Sequence, residues 1–352
     1  MIRVFYLAEN TDNAQFRYRI KNIQETLKTS KKYSVDIFQT SELENLKKHL
    51  SKASLLIIER QTSKNSTVPN LIRLAKKQGI KVIFDLDDLI FDYRDLPLLM
   101  RSTNSKNIPY WLGYFWGIRR IAKLADGFLA TNDFLSDKLK RSFKKPVAVI
   151  PNSLNLAQIK LSEQLCKDKK SHDNFMLGYF SGSPTHAKDF RFIEPALVDF
   201  IEKHADAKLK IVGYMDFSAR AKRLLDEKRI EFQAPVDYLE LQKEIASVDV
   251  NLAPLVENDF TNCKSELKFF EAAIVETPTI ASPTYAFKHA IKDGETGFLA
   301  KPGEWFSKLE HIYNHREEAQ KIALAAKKYC LETYYGKNFL KQVEEAYNAL
   351  SK

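Results

Sequence analysis

Glycine, cysteine and long apolar runs are all scarce in this chain. Only 11 of its 352 residues are glycine, against 44% hydrophobic and 28% charged residues, a balance that excludes a fibre and argues against disorder. The three cysteines, Cys166, Cys263 and Cys330, are odd in number and far apart. They offer neither a disulfide framework nor a C-x-x-C metal spacing, which favours a reducing, cytoplasmic compartment. No uninterrupted apolar stretch approaches the roughly 18 residues of a membrane span, and the opening MIRVFYLAEN lacks the layout of a signal peptide. A soluble chain is expected, long enough for two domains rather than one core.

What the chain does have is asymmetric charge. Residues 1–150 carry 27 Lys and Arg against 15 Asp and Glu, and the remainder carries 28 against 30. The whole excess of +10 therefore lies in the first half, which suits a polyanionic partner or an anionic surface as well as simple solubilisation.

Short β-branched and aromatic runs alternate with amphipathic segments. The runs IRVFYLA (2–8), YSVDIFQ (33–39), SLLIIER (54–60), KVIFDL (81–86), GFLATN (127–132) and VAVIPN (147–152) read as strands. FRYRIKNIQETLK and VPNLIRLAKKQG read as the helices between them, the second closed by a glycine cap. After a polar, Lys-rich stretch the pattern restarts with FMLGYFSG (175–182), LKIVGY (209–214), IEFQA (230–234), VDVNLAPL (248–255) and TPTIAS (277–282). Strands alternating with helices predict parallel sheets. The expected architecture is α/β, two Rossmann-like domains facing a cleft. Residues 1–153 with a returning helix at 334–352 form the first, 154–174 a linker, and 175–333 the second.

Ligands of open α/β sheets bind beyond the carboxyl ends of the strands, so the loops there hold the candidate chemistry. In NCKSELKFFEAAIVETPTIAS (262–282), a helix starting near Ser265 sets Lys264, Lys268 and Glu271 on one line, with Leu267, Phe270 and Ile274 on another. The charged line is expected to face away from the sheet. It is either a diphosphate and ribose grip or a solvated face with a Lys–Glu pair. GYFSGSPTHAKDF (178–190) breaks a strand into a Gly/Ser/Pro loop, and DGETGFLA (293–300) is a glycine turn expected at the mouth of the same domain.

In this order and spacing VIPNS, LGYFSGSPTHAKDF, LKIVGY, SELKFFEAAIVETPTIAS and DGETGFLA resemble the retaining nucleotide-sugar glycosyltransferases of GT-B fold, in their group 1 branch. The resemblance spans nearly the whole chain and is strongest from Val149 to Leu299. It implies that Glu271 binds the nucleotide ribose, and that Lys188, with Gly182, Ser183 and His186 in the same loop, meets the phosphates. Ser183 stands where the family carries arginine, and Cys263 where it carries its first motif glutamate. Phosphate compensation is then expected to fall to Lys264, beside Ser265. The donor implied is a UDP-, dTDP- or GDP-sugar, with no tightly bound cofactor and no required metal. The acceptor implied is a glycan, in polysaccharide or glycoconjugate synthesis of the capsule or O-antigen kind. Other glycosyltransferases are possible partners.

Four aspartates in VIFDLDDLIFD (82–92) admit three readings: a D-x-D metal site at Asp85 and Asp87, an acceptor-orienting pair at Asp87 and Asp88, or an N-cap with surface charge. Arg17 and Arg19, after the first strand, are candidates for a donor or acceptor phosphate, or a solvated helix end. NIPYWLGYFWGIRRIAKLADG (107–127) mixes five large aromatics with basic residues. Trp111, Trp116, Arg119 and Arg120 suit an interfacial helix on anionic lipid, or packed core and acceptor-cleft positions. The expected protein is a hexosyl- or deoxyhexosyl-type transferase acting on a lipid-linked glycan at the inner face of the cytoplasmic membrane. A sugar-nucleotide epimerase and a non-catalytic GT-B subunit are the alternatives. No nucleic-acid-reading motif is present.

Overall fold

The computed structural model describes residues 1–62, 66–168, 173–182 and 187–351. The chain divides into two compact units. Unit 1 comprises Met1–Asn155, Asn262–Ser265 and Tyr334–Lys352; unit 2 comprises Leu156–Thr261 and Glu266–Thr333.

Unit 1 is built on six parallel strands: β1 (Ile2–Ala8), β2 (Tyr33–Gln39), β3 (Leu55–Glu59), β4 (Lys81–Asp85), β5 (Gly127–Ala130) and β6 (Val147–Val149), in the order β2-β1-β3-β4-β5-β6. β3 is buried at every position, as a parallel strand covered on both faces must be. The order reverses between β1 and β3, so the crevice outside their carboxyl ends is where such a sheet binds ligands. The Gly336–Ser351 helix buries Phe339, Val343, Tyr347 and Leu350 in this unit's core, with Tyr6 and Ile57. A buried hydroxyl–hydroxyl bond of 2.7 Å joins Tyr347 to Tyr6. Such a bond contributes about 1 kcal/mol, and truncating a buried Leu such as Leu350 costs about 2–5 kcal/mol.

Unit 2 also carries six parallel strands: β7 (Phe175–Ser181), β8 (Ala207–Gly213), β9 (Ile230–Gln233), β10 (Val250–Ala253), β11 (Thr279–Ala281) and β12 (Phe298–Leu299). Their order is β12-β11-β10-β7-β8-β9. Counted within the unit, this is the doubly wound dinucleotide-binding order, with its switch point between β7 and β10. Trp305, Leu309 and Ile312 of the Trp305–Asn314 helix complete the core on one face. Gly213 ends β8 at φ +129°, where a Cβ would lie 1.9 Å from the Ser181 carbonyl. Only glycine lets these two strand ends approach so closely.

Three expectations change. The stretch 154–174, read as a linker, contains a helix, Leu156–Lys167, which buries Gln158, Ile159 and Ser162. β12 goes beyond the strands read from the sequence. The glycine turn at 293–297 precedes β12, whose partner is the parallel β11, so it lies at the amino edge of the sheet and not at the mouth where ligands bind. Gly294 takes φ +77° there, and its N–H bonds the Gly297 carbonyl.

Candidate functional site

In unit 1, β3 and β4 end in register on two acids, Glu59 opposite Asp85. Both are almost fully enclosed, at 2% and 1% exposure. Asp85 is held by Arg19, whose Nη2 donates to its Oδ1 at 2.8 Å and whose Nε lies 3.1 Å from the same oxygen. Arg19 also donates to the Ile150 carbonyl. Burial raises the Asp85 carboxyl to about 6 against the pull of Arg19. Burial raises Glu59 further, to about 8, with the Asp87 and Asp85 charges adding to the effect. Glu59 is therefore a protonated carboxyl at neutral pH, able to donate a hydrogen bond.

Beyond β4 the chain turns through Asp87 and Asp88, each about 20% exposed. Arg60, next after β3, reaches both, at 3.2 Å to Asp87 and 2.8 Å to Asp88. Gln15 donates to Asp87 at 2.9 Å, and Arg60 Nε donates to the Tyr114 hydroxyl at 3.1 Å. Lys264 Nζ lies 3.5 Å from Asp88. Its backbone is fixed by Asn132, whose side-chain amide donates to the carbonyls of Asn262 and Lys264 while its Oδ1 caps the following helix at Leu135. The two aspartates separate electrostatically. Burial works to raise Asp88, but Lys264 and Arg60 bring it down to about 2. Burial raises Asp87 above the usual range, and the neighbouring Asp88 charge adds to this against Arg60. One ionised carboxylate thus stands among cations near three acids, Glu59, Asp85 and Asp87, pushed toward their protonated forms. This is a set suited to orienting hydroxyl groups.

In unit 2, the crossovers leaving β7 and β10 frame the switch point. Gly182 follows β7, and a Cβ added there would meet open space; Lys188 is exposed on the Ala187–Arg191 helix. Asp189 ties the two crossovers together by accepting from the Val256 amide at 2.9 Å. The Ser282 hydroxyl accepts from Leu255 at 2.9 Å. On the second crossover the Leu267–Ala273 helix carries Glu271, which is 5% exposed, and Gln242 donates to the Glu271 carbonyl at 2.8 Å.

Residues 176–315 match the family described as "Glycosyl transferases group 1". Over that span the chain is similar to the group 1 glycosyltransferases. Whole-chain structural likeness gives the GT-B fold. Anabaena HepE (Alr3699), solved in complex with UDP, is 14% identical with a TM-score of 0.66, over 99% of this chain and 100% of that one. The Thermosynechococcus elongatus sucrose-phosphate synthase is 15% identical at TM-score 0.67, over 99% of each chain. A glycosyltransferase from Rickettsia africae ESF-5 is 15% identical at TM-score 0.65, over 100% of this chain and 99% of that one. No curated protein matches the chain in sequence.

Within this fold the sequence-predicted residues fall into place unevenly. Lys188 and Glu271 sit on the two crossovers of the switch point; Ser183 and His186 lie outside the described residues. Glu271 is not on a solvated charged line, because its helix is buried from Phe269 to Ala273. That helix begins at Leu267 after Glu266, not at Ser265. Ser265 instead accepts from the Asn152 side chain at 2.9 Å, and Lys264 belongs with the Asp88 cluster of unit 1. Lys268 lies over the Tyr179 ring at 4.8 Å. Cys263 is fully buried, its carbonyl 3.5 Å from the Thr131 hydroxyl.

Arg19 is corrected outright. A guanidinium 1% exposed and forked onto Asp85 is a structural ion pair and leaves no phosphate site. The same fork removes Asp85 from a D-x-D metal reading. Arg17 is half-buried, with its guanidinium 4.5 Å from the Tyr18 ring. On the Ile108–Leu124 helix, Trp111 is half-buried and packs edge-on against Tyr114, whose hydroxyl meets Arg60. Trp111 thus sits next to the Tyr114 side chain that meets Arg60. Arg119 donates to the Phe91 carbonyl at 2.7 Å and is committed to the fold. Trp116 stays 54% exposed with Arg120 over its ring. Sequence reasoning missed Glu59, Arg60, Gln15 and Tyr114. The available signal was LLIIER, an apolar strand that ends abruptly on two charges at a carboxyl edge.

Proposed function

We propose that the chain transfers a hexosyl or deoxyhexosyl unit from a nucleoside-diphosphate sugar to a glycan acceptor with retention of configuration. The observation that carries this reading is the doubly wound strand order of unit 2, inside the group 1 segment, with Lys188 and Glu271 on the two crossovers that leave its switch point. Glu271 is assigned to the ribose diol, and Lys188 with Gly182 to the diphosphate. A uridine nucleotide is the favoured donor base, supported by the likeness to a UDP-bound protein.

In unit 1, Asp88 is assigned to orient the acceptor hydroxyl, with Arg60 and Lys264 holding it ionised. Glu59 and Trp111 supply donors to acceptor oxygens; the Trp111 indole nitrogen is buried without a hydrogen-bond partner among the described residues. Retention follows if the departing phosphate oxygen takes the acceptor proton on the same face. The protein's part is then positioning and fixed charge, with no obligatory nucleophile or metal. A lipid-linked acceptor at an anionic cytoplasmic membrane face is proposed from the exposed apolar side of the Ile108–Leu124 helix and the basic bias of residues 1–150. A capsule- or O-antigen-type product, and neighbouring glycosyltransferases as partners, belong to the same proposal.

Thermal unfolding with UDP, dTDP and GDP tests the donor assignment. UDP is expected to raise the Tm of the wild type and of Asp88→Asn, but not of Glu271→Gln. No shift with any of the three nucleotides would sink the donor reading. UDP binding without sugar transfer to any acceptor would favour the non-catalytic subunit, a reading to which the family glutamate's replacement by Cys263 lends weight.

A further inference from the structure

The corner between the Trp305–Asn314 and Arg316–Tyr334 helices gathers two imidazoles and a carboxylate that the transfer reaction does not use. His311 lies in the last turn of the first helix, and His315 is its C-cap, leaving the helix at φ −129° and ψ 51°. Glu318 occupies the first turn of the second. One ligand-capable atom from each lies within 4.8 Å of the other two. From these residues we infer a transition-metal site, of the zinc class, that staples this corner of unit 2.

Three features favour a metal over a plain ion pair. His315 Nδ1 lies 2.8 Å from the His311 carbonyl. A carbonyl only accepts, so Nδ1 carries the proton and Nε2 keeps its lone pair. Metal-binding imidazoles are commonly oriented by this kind of backbone bond. The His311 and His315 rings stack with centroids 4.5 Å apart and planes 26° from parallel, which brings both to one side of the corner. His311 Nε2 already faces Glu318 Oε2 at 3.5 Å.

The surroundings agree. The nearest cation in sequence, Arg316, is taken up elsewhere, over the rings of Phe175 and Tyr313 and against Asp206. Below the corner, Leu309, Ile312, Ala319 and Ile322 are rooted in the core, so the backbone carrying the ligands is fixed while the side chains can turn. Tetrahedral coordination sets donor atoms about 3.3 Å apart, a closure that exposed side chains reach by small torsional changes. Two nitrogens and one oxygen suit Zn2+, Cu2+ or Ni2+ and disfavour Mg2+ and Ca2+. Three protein ligands leave one position for water.

The test is calorimetric titration of the full, tag-free, chelator-stripped chain with Zn2+, repeated with Mg2+. One equivalent of Zn2+ and no uptake of Mg2+ are expected. His311→Ala and His315→Ala should each weaken zinc binding roughly tenfold or more, while His49→Ala and Cys166→Ser leave it unchanged. Absence of zinc binding, equal binding in His311→Ala and His315→Ala, or its loss in Cys166→Ser would each overturn the assignment. All four positions lie outside the proposed donor and acceptor sites. Failure here therefore leaves the transferase reading intact, and UDP binding is expected to be unaltered in every variant.

Discussion

Glu59 and Asp85 face one another across β3 and β4, two buried acids in register at the carboxyl edge of a parallel sheet. Neighbouring carboxyls away from water cannot both ionise cheaply, and only Asp85 has an arginine forked onto it. This arrangement gives stability a definite pH dependence. Between the ordinary carboxyl value of 4.5 and about 8, native Glu59 holds a proton that the unfolded chain has lost. Its contribution to stability therefore falls as pH rises through that window and is level above it. Glu59→Gln keeps the neutral shape and removes the titration. Urea unfolding should show the variant gaining on the wild type from pH 5 to pH 8. An advantage equal at both values would mean that Glu59 is ionised throughout.

Arg19 provides a second test. With both partners 1% exposed, Arg19→Ala leaves Asp85 buried without its counter-charge. The expected loss is about 3–5 kcal/mol, and the double variant Arg19→Met/Asp85→Leu should recover much of it. Chemical denaturation measures both. A stable Arg19→Ala protein that had lost nucleotide binding would restore the phosphate-binding role.

These two residues also mark where the sequence stopped being informative. Strands were legible because eleven short β-branched and aromatic segments stand out between charged helices, most plainly β3, which is buried at every position. β12 escaped because two residues following a glycine turn carry no periodicity. The Leu156–Lys167 helix escaped because its buried side comprises Gln158, Ile159 and Ser162, two of them polar. Arg19 read as a phosphate ligand or a solvated helix end because its partner lies 66 residues away. Glu271 and Lys188 were named as candidates through family spacing, whereas Glu59 and Arg60 needed the sheet order that makes β3 a switch-point strand.

Asp88 and Asp87 are expected to separate in kinetics. Asp88 is ionised by Lys264 and Arg60, whereas Asp87 is held toward its neutral form. Asp88→Asn should lower kcat about a hundredfold or more, the range of a lost proton-directing group, with UDP binding unchanged. Asp87→Asn, which resembles the protonated acid, should cost far less. Steady-state transfer assays with calorimetric UDP titration read both. Equal losses in the two variants would remove the distinction between orienting carboxylate and supporting acid.

The Ile108–Leu124 helix exposes Ile108, Leu112 and Trp116, spaced four residues apart and hence on one face, together with Tyr110. Arg120 lies over the Trp116 ring at 5.4 Å, so a cation accompanies the apolar face. No helix among the described residues is long and apolar enough to cross a membrane; an interfacial contact instead needs this combination of wedge and charge. Co-sedimentation with phosphatidylserine vesicles should weaken in Ile108→Ser/Leu112→Ser/Trp116→Ser at every salt concentration. In Arg120→Glu it should weaken most at low salt, because charge attraction to the surface is screened within a Debye length. Leu324→Ser, at another exposed apolar position, serves as the control. Arg119→Glu is expected to reduce stability rather than vesicle binding, since its guanidinium is engaged by the Phe91 carbonyl. Unchanged sedimentation of the triple variant would assign this apolar face to something other than lipid.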